Sequence, residues 1–203
     1  MPGISDFSEK SVSRNPVTQF DIWYREHLSF GNDIPESVSL GTASADGKVS
    51  VRTVLLKDYG ETGFTFFTNY RSRKARQLAS NSRAALLFYW PEKGRQVRIE
   101  GIAEQVSSVI SDTYFSSRPR YSQLSAWASE QSTEIPGRQY LEERLRHYEK
   151  SFSGFPVPRP EHWGGYRIIP EWFEFWEDRS NRLHDRIVYI KEGDSWNIRR
   201  LAP

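Results

Sequence analysis

The chain contains no cysteine among its 203 residues. Disulfides, thiolate metal sites and cysteine nucleophiles are therefore excluded. Net charge is nearly absent as well: 28 Lys and Arg stand against 26 Asp and Glu, leaving +2. A general nucleic-acid binder carries a marked basic excess, so any anion binding here must be local. No run of about 18 apolar residues occurs, and the N-terminus MPGISDFSEKSVSRNP lacks an apolar signal region. The expectation is a cytoplasmic protein that engages neither membrane nor nucleic acid. Walker, GxGxxG and HExxH patterns are missing. The histidines His27, His147, His162 and His184 lack metal-ligand spacing.

Aromatic residues, by contrast, reach 14%, with seven Trp. They suit a β-rich core, and they also suit a ring ligand. Asn15 and Pro16 read as the cap and first turn of a helix with Phe20, Trp23, Tyr24 and Leu28 on one face. Ser37–Ser44 and Val49–Lys57 read as strands joined by a turn at Ala45-Asp46-Gly47-Lys48. Phe64–Thr68 is a further strand. Ala84–Trp90 is continuously apolar, the pattern of a strand buried on both faces. Gln96–Val106 is a longer strand.

Helices are expected from Ser107 or Ser108, carrying Val109, Ile110, Tyr114 and Phe115, then over Tyr121–Ser129 and Gly137–Phe152. Tyr166–Ile169, Trp172–Trp176, Leu183–Ile190 and Trp196–Leu201 read as closing strands. Short connections favour antiparallel pairing. The fold class is mainly β with helices (α+β), an antiparallel split or closed barrel with helical insertions. Residues 1–14 are expected to be a flexible N-terminal segment and 15–203 a single domain.

Four groups carry possible chemistry. In FTFFTNYRSRKARQL, Ser72 caps a helix whose first turn holds Arg73 and Lys74, with Arg71 just before. A helix N-terminus normally favours acids, so cations there fit either a bound phosphate or a solvated basic surface. In NRLHDR, Arg182, His184 and Arg186 alternate and would share one strand face, either toward an anion or ring, or toward solvent and neighbouring acids. In YFSSRPRYS, Tyr114 and Arg118 share a helix face and Ser122 opens the next helix: a second phosphate site or a capped junction. Arg52 and Lys57, at an odd spacing in VRTVLLK, face opposite sides, with Lys57 following a buried Leu pair. Cations, hydroxyls and aromatics without an obvious nucleophile suit a phosphorylated ring cofactor that brings its own chemistry.

From Asn15 to Pro203 the chain resembles the pyridoxamine 5′-phosphate oxidase family. The resemblance runs in order through RTVLLK, FFTNYRSRK, RQVRIEG, YFSSRPRYSQ, AWASEQS, WGGYR, EFW, RLHDR and the terminal RLAP. It implies an FMN-binding split-barrel homodimer with FMN at the subunit interface. FMN would be held by Arg52, Thr53, Val54, Leu55, Leu56, Lys57, Phe67, Thr68, Arg73, Lys74, Gln96, Gln131, Ser132, Trp176 and Arg186. The substrate would meet Lys57, Tyr114, Arg118, Ser122, Arg182, Leu183 and His184, with Arg182 and His184 as the catalytic pair over the pyridine ring.

The implied reaction oxidises pyridoxine or pyridoxamine 5′-phosphate to pyridoxal 5′-phosphate with O2, giving H2O2 and, from the amine, NH3. The alternatives are a related oxidase of another ring, such as a phenazine precursor, or a non-catalytic FMN or pyridoxal phosphate binder. Two departures stand out. The N-terminal stretch lacks the Arg-x-x-Tyr segment usual in the family. Glu177-Asp178 replaces the usual Gln-Gly, where two acids would neutralise the Arg182–Arg186 strand or alter its loop.

Overall fold

The computed structural model describes residues 7–31 and 34–203. In chain order these form α1 (Pro16–Leu28), β1 (Ser37–Ala43), β2 (Val49–Leu55), β3 (Asp58–Gly60), β4 (Gly63–Asn69), α2 (Arg73–Ser80) and β5 (Arg83–Trp90). Then come β6 (Arg95–Gln105), α3 (Ser108–Ser117), α4 (Arg120–Ala128), α5 (Arg138–Ser151), β7 (Trp163–Glu177), β8 (Asp185–Glu192) and β9 (Ser195–Arg200). Asn15 starts α1 as expected, its side-chain oxygen accepting from the Val17 and Thr18 N–H groups. The face it buries is Phe20, Trp23, Tyr24 and His27; Leu28, at the frayed end, is exposed. Residues 1–6 of the expected flexible segment 1–14, and residues 32 and 33, lie outside the described residues. Phe7 and Val12 are buried in the main core, and Phe7 packs its ring 5.0 Å from Trp23.

The strands build one antiparallel, curled half-barrel in the order β2-β1-β5-β6-β7-β4-β3, with β8 and β9 continuing from β7. This is the α+β split-barrel class expected. β7 is the splice. The sequence pattern suggests two strands there, but one strand runs through. Its first half pairs with β4 and its second half with β8, both along the edge opposite β6. The β6–β7 register shifts between Glu100 and Gly101, where Gly101 faces Pro170 and Glu100 faces Trp172. Pro170 donates no N–H, so the ladder slips at this point instead of ending. Gly101 is required there, since a Cβ would lie 2.0 Å from the Ile169 carbonyl oxygen.

Inside the curl, Phe20 is fully buried, with the rings of Tyr24, Tyr59, Phe64 and Phe88 centred 4.9–5.2 Å away. Burying one such side chain is worth about 1.5–3 kcal/mol, so this aromatic cluster sets how α1 closes the barrel. A smaller cluster of Phe115, Leu124, Ala126, Val157 and Trp163 lies under α3–α5. Leu145, Tyr148 and Phe152 of the α5 region pack on it while remaining partly exposed. Val109 and Ile110 are exposed, and Ser111 and Phe115 form the inward face of α3 instead.

Two further expectations are corrected. β5 is not buried on both faces: burial alternates, and Leu87 and Tyr89 are open. No layer among the described residues covers that side. The strand expected from Leu183 begins at Asp185. Asn181 and Arg182 adopt left-handed backbone (φ 59° and 61°), which forms a 3-10 turn where an extended strand was expected. Arg182 therefore shares no strand face with His184 and Arg186.

Candidate active site

The end of β2 and the start of α2 converge on one cavity of about 400 Å³. Thr53, Val54, Leu55 and Lys57 supply one wall; Phe67, Thr68 and Asn69 from β4 supply the floor. Lys74 enters from α2, Tyr114 and Arg118 from α3, Ser125, Ala126 and Ser129 from α4 and beyond, and Gln131 and Trp163 close it. None of these lining residues is an acid.

α2 starts as the sequence suggests. Ser72 accepts from the Ala75 N–H at 3.4 Å, and the first turn holds no acid. Lys74 Nζ donates to Thr68 Oγ1 and Gln131 Oε1, both at 3.1 Å. Among the described residues it has no carboxylate partner. Burial, reinforced by the Arg52 charge, pushes the Lys74 pKa down to about 8. Arg52 turns its guanidinium to the Leu40 carbonyl, Thr42 and Gln77. Burial and then the Arg73 charge lower its pKa too. Cations gathered without a counter-charge at a helix N-terminus describe an anion site.

A second cation stands in the same cavity. Arg118 lies with its guanidinium 4.6 Å from the Trp163 ring, and burial lowers its pKa. One of its terminal nitrogens is buried without a hydrogen-bond partner. A desolvated, unspent guanidinium donor is costly unless a ligand supplies the acceptor. Phe67, Tyr114 and Trp163 stack as a wall beside it, Phe67 and Tyr114 at 4.0 Å and 20°. Gly165 makes room for that wall, because a Cβ there would sit 2.9 Å from the Phe67 ring. Lys57 is tied to Glu36 at 2.9 Å, a bond that holds the Glu36 carboxyl below its usual range. Leu56 is buried beside it but Leu55 is open, so the buried Leu pair is a single residue. α4 opens at Arg120 after Pro119, not at Ser122, which is its third residue and donates its backbone N–H to Pro119 O; Arg73 is exposed, and Ser132 is exposed in a left-handed conformation.

The remaining expected residues form a separate group. Tyr89, Gln96, Trp176 and Arg186 are cross-strand partners in one continuous row over β5, β6, β7 and β8. His184 packs on Trp176 with ring centroids 4.7 Å apart. Its Nδ1 lies 3.1 Å from the Arg179 backbone N and 2.9 Å from Asp178 Oδ1. Leu183 is exposed, and among the described residues no acid lies within ion-pair distance of Arg182. Neither Glu177 nor Asp178 neutralises Arg182 or Arg186. Glu177 pairs with Arg95 and Arg179, Asp178 pairs with His184, and Arg186 pairs with Glu174.

Thr53 links the two groups. It lines the cavity, and it stands in register with Ser39, Leu87, Arg98 and Glu174 on one sheet face. Trp163, Asn69, Ser125 and Ser129 are cavity residues that sequence reasoning missed. Trp163, Asn69 and Ser129 lie in the motifs WGGYR, FFTNYRSRK and AWASEQS, whereas Ser125 lies in none of them.

A curled antiparallel half-barrel with an aromatic wall, a cationic helix start and an unspent arginine defines a protein that binds a phosphorylated ring compound. Comparison with known proteins narrows this. Residues 32–151 match the family model described as pyridoxamine 5′-phosphate oxidase. Residues 163–203 match the pyridoxine 5′-phosphate oxidase C-terminal dimerisation region. The chain belongs to the pyridoxamine 5′-phosphate oxidase family, a family of FMN-dependent oxidoreductases.

It is 52% identical over 196 residues to a pyridoxine/pyridoxamine 5′-phosphate oxidase of Rubrobacter xylanophilus, covering 97% of this chain and 90% of that one. It is 51% identical over 201 residues to the corresponding protein of Cupriavidus pinatubonensis, covering 98% and 94%. Among solved structures, PhzG of Burkholderia lata, in complex with tetrahydrophenazine-1-carboxylic acid, superposes with a TM-score of 0.90 at 30% identity. That match covers 96% of this chain and 95% of PhzG. A related FMN-binding protein of Nostoc punctiforme shares the fold, with a TM-score of 0.74 at 17% identity over 95% of this chain and all of that one. No helix among the described residues is long and apolar enough to cross a membrane.

Proposed function

We propose that this protein is an FMN-dependent oxidase of pyridoxine and pyridoxamine 5′-phosphates. The observation that carries the reading is that one cavity is lined by two cations, Lys74 at the start of α2 and Arg118 with its unpartnered nitrogen, neither of which has a carboxylate partner among the described residues. One suits a cofactor phosphate and the other a substrate phosphate. Bound FMN would accept a hydride from the substrate and pass the electrons to dioxygen.

The protein's own contribution is placement and charge. Lys74, Arg73 and Thr68 hold the FMN phosphate, with Arg52–Lys57, Phe67, Gln131 and Ser132 around the flavin. Lys57, Tyr114, Arg118 and Ser122 hold the substrate phosphate. Arg182, Leu183 and His184 cover the substrate ring. The alcohol and O2 give pyridoxal 5′-phosphate and H2O2. The amine additionally consumes water and releases NH3.

Gln96, Trp176, Arg186, Arg182 and His184 act on a second copy's cavity in a homodimer. Val49, Val51, Leu55, Leu87 and Tyr89 expose apolar side chains on the same sheet face as Gln96, Trp176 and cavity-lining Thr53. A patch of this kind marks an interface. A second copy lying across it would bring its own row to the cavity mouth. A cytoplasmic location belongs to the same reading.

The structural likeness to PhzG favours one competitor, an oxidase of a tricyclic carboxylic acid. Anaerobic mixing decides between them. Pyridoxine 5′-phosphate should bleach the flavin absorbance, and in air it should yield peroxide and a near-ultraviolet aldehyde. Bleaching by a dihydrophenazine carboxylic acid, with none by pyridoxine 5′-phosphate, would replace this reading with the competitor.

A further inference from the structure

The 178–184 loop, between β7 and β8, has an energetic problem. Its tip carries two successive residues in left-handed backbone, Asn181 and Arg182, and a long side chain such as Arg rarely adopts that conformation unaided. Something must hold the loop in shape. Arg179 is placed to do so. Its guanidinium reaches Glu177 Oε1 at 2.7 Å, on the last residue of β7, and Asp185 Oδ2 at 2.5 Å, on the first residue of β8. One side chain thus bridges the residues on either side of the loop. Its backbone N also stands 3.1 Å from His184 Nδ1.

The bridge belongs to a longer ladder. Glu26 of α1 pairs with Arg95 at 2.7 Å, and Arg95 with Glu177 at 2.8 Å. At the other end Asp185 pairs with Arg200 of β9, which pairs with Glu9 at 3.0 Å. Burial alone would raise the Asp185 carboxyl, but hydrogen bonds from Arg179 and Arg200 hold it below its usual range. Charges alternate along all seven members. Arg179 is the only one of them inside the loop.

We propose that Arg179 is a positioning residue: its guanidinium clasps the two ends of the 178–184 loop and thereby sets Arg182 and His184 for substrate. This rests on the reading above, in which those two residues cover the substrate ring. Arg179 is not among the residues that line the cavity. It acts through the loop.

The test compares Arg179→Met, Arg179→Lys and Arg182→Ala in the FMN-loaded full chain. In Arg179→Met, Glu177 keeps Arg95 and Asp185 keeps Arg200, so neither acid is stranded and the fold is retained. Three quantities are read: FMN affinity by flavin fluorescence, kcat and KM for pyridoxine 5′-phosphate, and hydrogen exchange of the 178–184 amides.

For Arg179→Met the expected kcat loss is about tenfold or more, because a small misplacement of reacting groups is costly. FMN affinity should stay within about twofold, and loop exchange should rise about tenfold. Arg179→Lys should recover part of both losses. Unchanged loop exchange in Arg179→Met overturns the clasp. So does kcat within about twofold of the parent when Arg182→Ala is inactive. If Arg182→Ala retains full turnover, the substrate role of the loop fails instead, and the exchange measurement alone still judges the clasp.

Discussion

Arg186 holds both carboxylate oxygens of Glu174, its Nε 3.0 Å from Oε1 and a terminal nitrogen 3.0 Å from Oε2. Arg98 adds a third bond to Oε2 at 3.2 Å. Glu174 is 2% exposed, so its charge is tolerable only with these partners. Glu174→Ala should therefore destabilise the fold by about 3 kcal/mol, read from denaturant midpoints, because two guanidinium groups lose their shared acceptor. Glu174→Gln keeps the shape and one acceptor and should cost roughly half as much. Equal, negligible losses in both variants would show that solvent already satisfies the arginines.

Lys74 gives the protein a pH signature. Its pKa is about 8 in the ligand-free fold against 10.5 for an ordinary lysine. Below pH 8 the side chain is protonated whether folded or unfolded, and the cost of burying its charge is fully present. Between those values the folded state has released a proton that the unfolded state keeps. Ligand-free stability therefore gains a contribution from Lys74 as pH rises through this window. Phosphate binding needs the charged form, so FMN affinity should fall over the same range, by up to about tenfold per pH unit. Lys74→Gln should bind FMN more weakly at pH 7 and lose both slopes. A wild-type affinity flat from pH 7.5 to 9.5 would contradict this assignment.

Arg118 should separate stability from function. Its buried, unpartnered nitrogen costs the ligand-free protein free energy, and the Trp163 ring only partly offsets that cost. Arg118→Met keeps the stacked stem and removes the charge. The ligand-free variant should melt no lower than the parent, while KM for pyridoxine 5′-phosphate rises about a hundredfold, the worth of a charge-assisted phosphate contact. Turnover of unphosphorylated pyridoxine should change little. A parallel loss on both substrates would place Arg118 outside the phosphate site.

Much of this architecture was legible in the sequence, where local chemistry decides the outcome. Asn15-Pro16 and Ser72 start helices because their own side chains or rings satisfy the first turn. Ala45-Asp46-Gly47-Lys48 turns because Gly47 takes φ +81°. The cationic start of α2 was visible as a phosphate site or a solvated basic surface, because charge at a helix end is a local property. Legibility ended where the answer lay elsewhere in the chain. Alternation in NRLHDR is a strand pattern, yet consecutive left-handed residues and the Glu177–Arg179–Asp185 bridge make it a turn. Those partners carry no periodic signal. Ala84–Trp90 read as doubly buried because its apolar composition does not tell whether this chain or another covers the second face.

That second face yields the last prediction. Val51 and Tyr89 are 68% and 62% exposed, an unusual position for side chains of this size. Val51 has no covering neighbour on its outer side among the described residues, so Val51→Asp should leave the melting of an isolated subunit within about 0.5 kcal/mol of the parent. In a dimer the substitution desolvates a carboxylate at the interface, a cost of several kcal/mol per ion. Sedimentation should then show the parent as a dimer and Val51→Asp as a monomer. The cavity rim residues Thr53 and Leu55 lie on the strand that carries Val51, and the row Gln96–Trp176–Arg186 lies on the same sheet face. FMN affinity should therefore fall together with dimerisation, although Val51 lies outside the cavity. A Val51→Asp monomer that binds FMN as tightly as the parent would mean that each chain completes its own site.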